Sequence, residues 1–512
     1  MKVPLVTSDF LFRAAYSYGL RTGVVDEPAP YQDGGLGSLT YAALQDRGRA
    51  LAAGLDELGV GPGERVAVVS HNSARLLELL LAGTAAGRII VPINFRLSRD
   101  EVAYIVGHCG AKVLLVDPEV DEALATVTAE HRFVLGAESD AALLRPGREP
   151  VAWEPDEDAT ATINYTSGTT ARPKGVQITH RNIWTNAVTF ALHAGVTDRD
   201  VYLHTLPMFH CNGWGMPFAM AGMGVPQVVL RKVDGADILG RVQRYGVTVM
   251  CCAPAVVAAV LEATAGWEGE IPGRGTVRVI CAGAPPPSRV IQRVESELGW
   301  EFMQIYGLTE TSPLLTVNRR RAEEDELPAE EAARRLSRAG MPAIGCRLAV
   351  SDSGEVLARS NVIMKGYWEQ PAETEAALED GWFHTGDGGE LDSEGYLTIR
   401  DRKKDVIITG GENVSSIEVE DCLFSHPAVS EVAVIGVPDE RWGETIKALV
   451  VLAEGEKATE AELIAHCKSR LAGYKAPTSI ELREAIPRTA TGKVQKFKLR
   501  EPYWAGRDRL VN

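Results

Sequence analysis

Short apolar runs alternate with segments of helical periodicity along most of the chain. The runs at residues 65–70, 112–117, 247–252 and 277–281 have the length and β-branched content of buried strands. The segments between them, such as residues 74–86 and 236–245, repeat their apolar positions at helical spacing. Strands that alternate with helices are typical of an α/β protein built from layered sheets.

The pattern changes near residue 400. Residues 395–405 are strongly charged, and about 110 residues follow with their own alternation of helix and strand. We therefore predict a hinge at this point and a small second domain after it.

Composition indicates which partners and which cellular compartment are compatible with the chain. The chain has 512 residues, of which 45% are hydrophobic, and its formal net charge is −16. This charge argues against nucleic acid as a partner, because phosphate backbones need a broad basic face. Its eight cysteines form no CxxC pair, and the first residues contain no long apolar segment. We predict a cytoplasmic protein with no integral membrane segment, no zinc site and no disulfide framework.

Residues 166–175 read TSGTTARPKG and follow a strand-like run at 161–165. Glycines let the backbone approach an anion closely, hydroxyls and N–H groups can bind its oxygens, and Arg172 and Lys174 supply positive charge. The common P-loop has glycine directly before its lysine, whereas here Pro173 precedes Lys174. The run predicts a different kind of triphosphate loop, with a solvent-exposed turn as the alternative.

Three further segments carry candidate chemistry. Residues 304–311 place Tyr306, Gly307, Thr309 and Glu310 together, which suits an adenine ring, a phosphate oxygen and magnesium. The alternative is that the tyrosine belongs to the core. Residues 381–387 end in a carboxylate after a glycine turn, and it could accept hydrogen bonds from both ribose hydroxyls.

The last of these segments, residues 487–493, ends in Lys493. A lysine on a polar loop near the C-terminus could stabilise developing phosphate charge. The alternative is a lysine that serves solubility alone.

Taken together, these motifs resemble the adenylate-forming superfamily, in particular its acyl-CoA synthetases. They stand in that family's order and spacing, along with residues 206–210, 281–285 and 401–413, so the resemblance covers essentially the whole chain. It implies an α/β fold: a large N-terminal domain of mixed sheets flanked by helices, residues 1–401, and a small α+β C-terminal lid domain, residues 402–512.

The resemblance also implies a two-step reaction. A carboxylate attacks the α-phosphate of ATP, which gives an acyl-adenylate and pyrophosphate, and the thiol of CoA then takes the acyl group. The residues implied to bind ATP or AMP are Thr166, Ser167, Gly168, Thr169, Thr170, Lys174, Gly283, Ala284, Tyr306, Gly307, Asp387 and Arg402.

The resemblance implies roles for further residues. The implied catalytic residues are Lys493, Thr309, Glu310 and His210. Glu310 is the implied magnesium ligand, with Thr170 as a second candidate. Lys404 matches the hinge, Gly410 and Gly411 match the tunnel for the CoA thiol, and Trp214 is a candidate for the acyl pocket.

Three departures from the family pattern stand out. Ala171 occupies a position that is usually glycine in the phosphate loop. Ser415 and Ser416 replace an aromatic residue and proline, and Gly388 with Gly389 follows Asp387 where an apolar residue is more usual. The departures leave the reaction class intact and bear on ATP affinity and on the thiol acceptor.

The residues around Trp214 resemble synthetases for medium- or long-chain fatty acids and aryl acids, and no acidic residue stands where an amino-acid substrate would need one. Two rival functions are kept: a ligase that loads a carrier-protein thiol, and a non-catalytic relative that binds adenylates. The sequence leaves open whether the protein forms a homodimer.

Overall fold

The computed structural model describes residues 1–27, 31, 35–166, 172–283, 286–402, 405–409, 412–439, 441–488 and 494–505. The side chains of residues 401, 402 and 413 lie outside this description.

The helices in these ranges are α1 (Ser8–Tyr18), α2 (Tyr41–Glu57), α3 (Ala74–Glu78), α4 (Arg99–Cys109), α5 (Ala137–Leu143), α6 (His180–His193), α7 (Cys211–Trp214), α8 (Met216–Met223), α9 (Gly235–Tyr245), α10 (Pro254–Ala263), α11 (Ser288–Arg293), α12 (Ala329–Leu336), α13 (Pro371–Ala377), α14 (Ser416–Phe424), α15 (Glu460–Lys468) and α16 (Lys496–Trp504).

The strands are β1 (Thr22–Val25), β2 (Ser38–Thr40), β3 (Arg65–Val69), β4 (Ile89–Ile93), β5 (Val113–Val116), β6 (His131–Val134), β7 (Thr160–Thr166), β8 (Lys174–Thr179), β9 (Tyr202–His204), β10 (Gln227–Val229), β11 (Val249–Cys252), β12 (Arg278–Cys281), β13 (Glu301–Tyr306), β14 (Thr316–Arg319), β15 (Met341–Pro342), β16 (Arg347–Val350), β17 (Glu355–Arg359), β18 (Gly366–Tyr367), β19 (Phe383–Leu391), β20 (Leu397–Arg402), β21 (Ile407–Thr409), β22 (Glu412–Val414), β23 (Val429–Asp439), β24 (Gly443–Leu452) and β25 (Ser479–Leu482).

The strands form layered sheets. One sheet has the order β15-β14-β13-β12-β11-β9-β10-β1-β2, and a second has the order β18-β8-β7-β4-β3-β5-β6. A smaller sheet, β16-β17-β19-β20, lies at the end of the N-terminal part, and the C-terminal part has the sheet β22-β21-β24-β23, with β25 paired to β24. Parallel and antiparallel pairs occur in both large sheets, so the predicted mixed α/β architecture is confirmed.

The elements predicted from periodicity are present. The four apolar runs are β3, β5, β11 and β12, and the helical segment at 236–245 is α9. The predicted helix at 74–86 begins as α3 and then contains a π-helical turn at Leu79–Gly83. A π-helical turn admits one extra residue into the helical ladder, a feature that apolar spacing alone does not reveal.

Local sequence sets the helix ends. The Ser98 hydroxyl accepts a hydrogen bond from the Glu101 N–H, and the Glu101 carboxylate accepts one from the Ser98 N–H, which closes a capping box at the start of α4. The same helix ends at Gly110, which has a left-handed conformation, φ 61°.

The register between two neighbouring parallel strands brings motifs that are distant in sequence together. Cys281 of β12 pairs with Gln304 of β13. Gly283 and Tyr306 each follow two residues later, so both lie at the carboxyl edge of the sheet. Crevices at the carboxyl ends of parallel strands are where open α/β sheets bind ligands.

The C-terminal part contacts the N-terminal part through polar groups. The Asp421 carboxylate of α14 accepts the Ser288 N–H at 3.2 Å, and the Ser415 hydroxyl donates to the Arg400 carbonyl at 2.9 Å. Strand β20 ends at Arg402, beside the predicted boundary between residues 401 and 402, which stays a prediction.

Two expectations from composition concern the whole chain. All eight cysteines lie in the described residues, and each is a free thiol there. None of the helices in the described ranges combines the length and the apolar character that a bilayer crossing needs.

Candidate active site

The predicted phosphate loop connects two antiparallel strands. Thr166 at the end of β7 pairs with Lys174 at the start of β8. The Lys174 ammonium lies 4.8 Å from the centre of the Tyr367 ring, a distance typical of a cation–π contact. Ser167, Gly168, Thr169, Thr170 and Ala171 lie outside the described residues.

Glu310, the predicted magnesium ligand, lies near the same ring. The Tyr367 hydroxyl donates to Glu310 Oε1 at 3.1 Å. Burial and then the Glu310 carboxylate raise the pKa of Tyr367, so its hydroxyl remains protonated at neutral pH and acts as a donor. Lys174, Tyr367 and Glu310 thus connect the start of β8 with the 304–311 segment.

A carboxylate oxygen is the type of ligand that magnesium prefers, so Glu310 fits the predicted ion. The carboxylate of Glu310 supports the prediction by its chemical type, and not through a preformed set of metal ligands. Within the described ranges, no group of three or more His, Cys, Asp or Glu side chains is placed to hold a metal ion. Phosphate oxygens and water commonly complete the coordination of magnesium in nucleotide sites.

Gly307 is required by a close backbone contact. A β-carbon at this position would lie 1.5 Å from the Pro313 carbonyl oxygen. The chain therefore folds back on itself directly after Tyr306, and Thr309 begins a short 3₁₀ turn inside this fold. Thr309 is buried, at 7% exposure, and its carbonyl accepts from Cys211 Sγ at 3.9 Å.

Tyr306 and Asp387 are joined by a hydrogen bond, although 81 residues separate them. The tyrosine hydroxyl donates to Asp387 Oδ2 at 2.8 Å, and the aspartate is buried. The backbone of Arg402 pairs with that of Asp387 across β19 and β20. The predicted base-binding and ribose-binding residues are therefore neighbours.

Gly283, which is predicted to lie beside the adenine, has a φ of 97°, a conformation that favours glycine. Ala284 lies outside the described residues.

The segment after His210 is a left-handed helical turn. The angle φ is positive at every residue from Cys211 to Gly215, between 47° and 75°. For a residue with a side chain, this conformation costs on the order of 1–2 kcal/mol. The turn is buried throughout, so its neighbours must hold it in place.

Trp214 lies in this turn and is 4% exposed. Asn186 Nδ2 donates to its carbonyl at 3.0 Å, and the buried residues Met216 and Phe218 follow in α8. His210 precedes the turn, is partly exposed, and accepts the Gly213 N–H at 3.0 Å. The contact between Cys211 and Thr309 brings the start of the turn, directly after His210, against the 304–311 segment.

The remaining predicted positions are Lys404, Gly410, Gly411 and Lys493, all of which lie outside the described residues. One departure from the family pattern has a structural reason. A β-carbon on Gly389 would lie 2.9 Å from the Thr398 carbonyl oxygen and 2.8 Å from a Val356 methyl group, so close packing between β19 and its neighbours favours glycine here.

Sequence reasoning missed three residues of this region: Tyr367, Asn164 and Asn212. The tyrosine stands in a short Gly-Tyr-Trp run that gives no periodic signal. The asparagines did leave a signal. Thr162 and Asn164 lie on a polar face of β7, opposite the face formed by Ala161, Ile163 and Tyr165, and Asn212-Gly213 is a dipeptide that favours positive φ.

Comparisons with known proteins identify the family of this chain. Residues 12–368 match the AMP-binding enzyme family, and residues 418–493 match the AMP-binding enzyme C-terminal domain. A 2-methylpropanoate–CoA ligase of Humulus lupulus is 38% identical over 540 residues, which cover 97% of this chain and 95% of the ligase. A probable acyl-activating enzyme of Arabidopsis thaliana, described as peroxisomal, is also 38% identical, with 97% of this chain and 96% of the relative covered.

Solved structures of CoA synthetases are also similar to this chain. The o-succinylbenzoate CoA synthetase of Bacillus subtilis, in complex with its acyl-adenylate intermediate, has a TM-score of 0.82 at 30% identity and covers 96% of this chain and 98% of its own. The same synthetase in complex with ATP and magnesium has a TM-score of 0.81 at 29% identity, with 96% and 99% covered. This chain therefore belongs to the AMP-binding enzyme family and is an acyl-CoA synthetase of the adenylate-forming superfamily, which joins an acid to CoA through an acyl-adenylate made from ATP.

Proposed function

We propose that the acid activated by this enzyme is apolar, a medium- or long-chain fatty acid or an aryl acid. The observation that carries the proposal is the buried apolar segment that contains Trp214, because its first residue, Cys211, contacts the carbonyl of Thr309, the residue proposed to bind the α-phosphate. Trp214, Met216 and Phe218 of this segment are all buried and belong to one hydrophobic cluster.

The names of the relatives support an acid without a positive charge and leave its size open. One relative is named for 2-methylpropanoate, a small branched acid, and the Bacillus subtilis synthetase is named for o-succinylbenzoate, an aryl acid that carries a second carboxylate. A hydrophobic pocket discriminates by only about 10- to 200-fold for each methylene, so the length of the acid must be measured.

We assign the first half-reaction to residues of both halves of the chain. Thr166 and Lys174 would bind the β- and γ-phosphates, Thr309 the α-phosphate, and Glu310 would hold magnesium, which neutralises phosphate charge. Tyr306 and Gly283 would lie along the adenine, while Asp387 and Arg402 would bind the ribose hydroxyls. Lys493 would stabilise the charge that develops as the carboxylate oxygen bonds to phosphorus and pyrophosphate leaves.

In the second half-reaction, the CoA sulfur bonds to the acyl carbon and AMP leaves. We assign Lys404 to the hinge about which the C-terminal part rotates, and Gly410 with Gly411 to the wall of the thiol tunnel. His210 would position the carboxylate in the first step. Such a rotation would expose the same acyl-adenylate first to Lys493 and then to the thiol, as lid movements do in other enzymes.

The direct test measures pyrophosphate release from ATP with a panel of fatty, branched, dicarboxylic, amino and aryl acids. Mass spectrometry then identifies the product formed with CoA and, in a parallel reaction, with a phosphopantetheinyl carrier protein. We expect the highest kcat/KM with an apolar acid and an acyl-CoA product. A preference for a dicarboxylic or amino acid would contradict the proposed substrate class, and acylation of the carrier protein alone would contradict CoA as the acceptor.

Lys493→Ala should lower the rate of acyl-adenylate formation by at least about 100-fold, because the ammonium acts where phosphate charge develops. Thioester formation from supplied acyl-adenylate should stay near the wild-type rate. The matched control is Lys498→Ala, which removes an exposed lysine of α16 and should change neither rate. Equal losses in both half-reactions of the folded Lys493 variant would refute the assignment.

Tyr306→Phe should raise the KM for ATP about 3- to 10-fold, because Asp387 loses the donor that orients it toward the ribose. The KM for the acid should change less than twofold. Tyr41→Phe is the control, since it removes another buried hydroxyl, one that donates to the Val225 carbonyl at 2.6 Å, and should lower only the melting temperature. An unchanged KM for ATP in the Tyr306 variant would remove Asp387 from the ribose site.

Trp214→Ala should raise the ratio of kcat/KM for longer over shorter acids by about 10-fold or more, because the indole limits the depth of the pocket. Trp300→Ala removes an equally buried indole from a different core cluster and should reduce stability with no change in this ratio. If the two variants lose stability alike and neither changes the ratio, Trp214 belongs to the core and not to the pocket.

A further inference from the structure

Three buried polar side chains close a hydrogen-bond ring between the left-handed turn and strand β7. The Thr162 hydroxyl donates to Asn164 Oδ1 at 3.0 Å, Asn164 Nδ2 donates to Asn212 Oδ1 at 3.2 Å, and Asn212 Nδ2 donates to Thr162 Oγ1 at 2.8 Å. Each side chain donates once and accepts once within the ring. All three are at most 2% exposed.

The ring connects two parts of the site that the chain itself keeps far apart. Thr162 and Asn164 alternate along β7, so the next side chain on the same face is that of Thr166, the first residue of the predicted phosphate loop. Asn212 lies two residues after His210 and two before Trp214, inside the left-handed turn. The ring therefore links the strand that carries Thr166 to the turn that carries the candidate acyl-pocket residues.

The conformation of the turn requires such a link. A run of residues with positive φ is unfavourable by itself and persists only where surrounding contacts hold it. Asparagine tolerates this conformation better than most residues and also carries an amide that can donate and accept at once. Asn164 Nδ2 adds a second contact, to the Phe209 carbonyl at 3.4 Å, on the other side of His210.

We infer that Asn212 is a positioning residue for adenylation: through the ring with Thr162 and Asn164, it fixes the turn Cys211–Trp214, and with it His210 and Trp214, relative to the strand that ends at Thr166. The inference rests on the proposed function of these residues. Asn212 itself acts through its neighbours and contacts neither reactant.

Two variants open the ring from opposite sides. Asn212→Gly keeps a residue that accepts positive φ and removes the amide, and Thr162→Val keeps the shape of the strand residue and removes the hydroxyl. Each should lower kcat/KM for the acid in pyrophosphate release by about 10- to 100-fold, because small displacements of reacting groups are costly. The KM for ATP should stay within about twofold of wild type.

The double variant should be no slower than the slower single variant, since either change alone already opens the ring. Asn318→Ala is the control for a purely structural loss. Asn318 is also 2% exposed, and its side chain donates to the carbonyls of Arg335 and Arg338. It lies in β14, two residues beyond Thr316, the residue that pairs with Tyr306. The Asn318 variant should lower the melting temperature, and it should not lower kcat/KM for the acid selectively while the KM for ATP stays unchanged.

Amide hydrogen exchange supplies a readout that does not depend on activity. Peptides covering residues 209–216 should exchange faster in both ring variants than in wild type, and at the wild-type rate in the Asn318 variant. Folded ring variants with wild-type kinetics for the acid, or losses that simply multiply in the double variant, would overturn the inference. If the wild-type protein releases no pyrophosphate with any acid, the proposed function is contradicted instead. In that case, equal hydrogen exchange in wild type and in Thr162→Val would overturn the inference that the ring fixes the turn.

Discussion

Hydrogen bonds between polar side chains from distant parts of the chain hold the candidate active site together. A polar group that leaves water without a partner costs free energy, on the order of 1–3 kcal/mol for each unsatisfied donor or acceptor. At each junction of the site, a buried or partly buried polar group finds its partner in another part of the chain. Tyr306 bonds to Asp387, Tyr367 bonds to Glu310, and Asn212 bonds to both Thr162 and Asn164. The same contacts that satisfy these groups also set the distances between the motifs.

The net negative charge of the protein restricts how it can bind a triphosphate. A protein with a net charge of −16 repels a triphosphate at long range, so binding must rely on cations close to the phosphates. The Lys174 ammonium, a candidate for this role, lies against the Tyr367 ring, and the hydroxyl of the same tyrosine bonds to Glu310, the candidate magnesium ligand. One aromatic side chain thus connects the candidate binding groups for phosphate and for metal.

Much of the fold and part of the site could be predicted from the sequence. Apolar periodicity located β3, β5, β11, β12 and α9, because burial imposes the same spacing on strands and helices in any α/β protein. Family motifs point to Tyr306, Glu310 and Asp387 as site residues, which stays a prediction, and the hydrogen bond between Tyr306 and Asp387 brings two of them together. The π-helical turn after α3 escaped prediction, since one extra residue in a helix hardly alters its apolar pattern.

The sequence by itself determined the family, the reaction class and the chemical type of most candidate residues, because these depend on motifs of contiguous residues. Only the tertiary structure decided which residues are partners. The bond between Tyr306 and Asp387, the place of Tyr367 between Lys174 and Glu310, and the ring that holds the left-handed turn all depend on strand register and packing over long separations in the chain. Gly307 shows the difference most clearly: its sequence neighbours indicate a turn, but the reason that no side chain fits is the carbonyl of Pro313, which reaches it only when the chain has folded back.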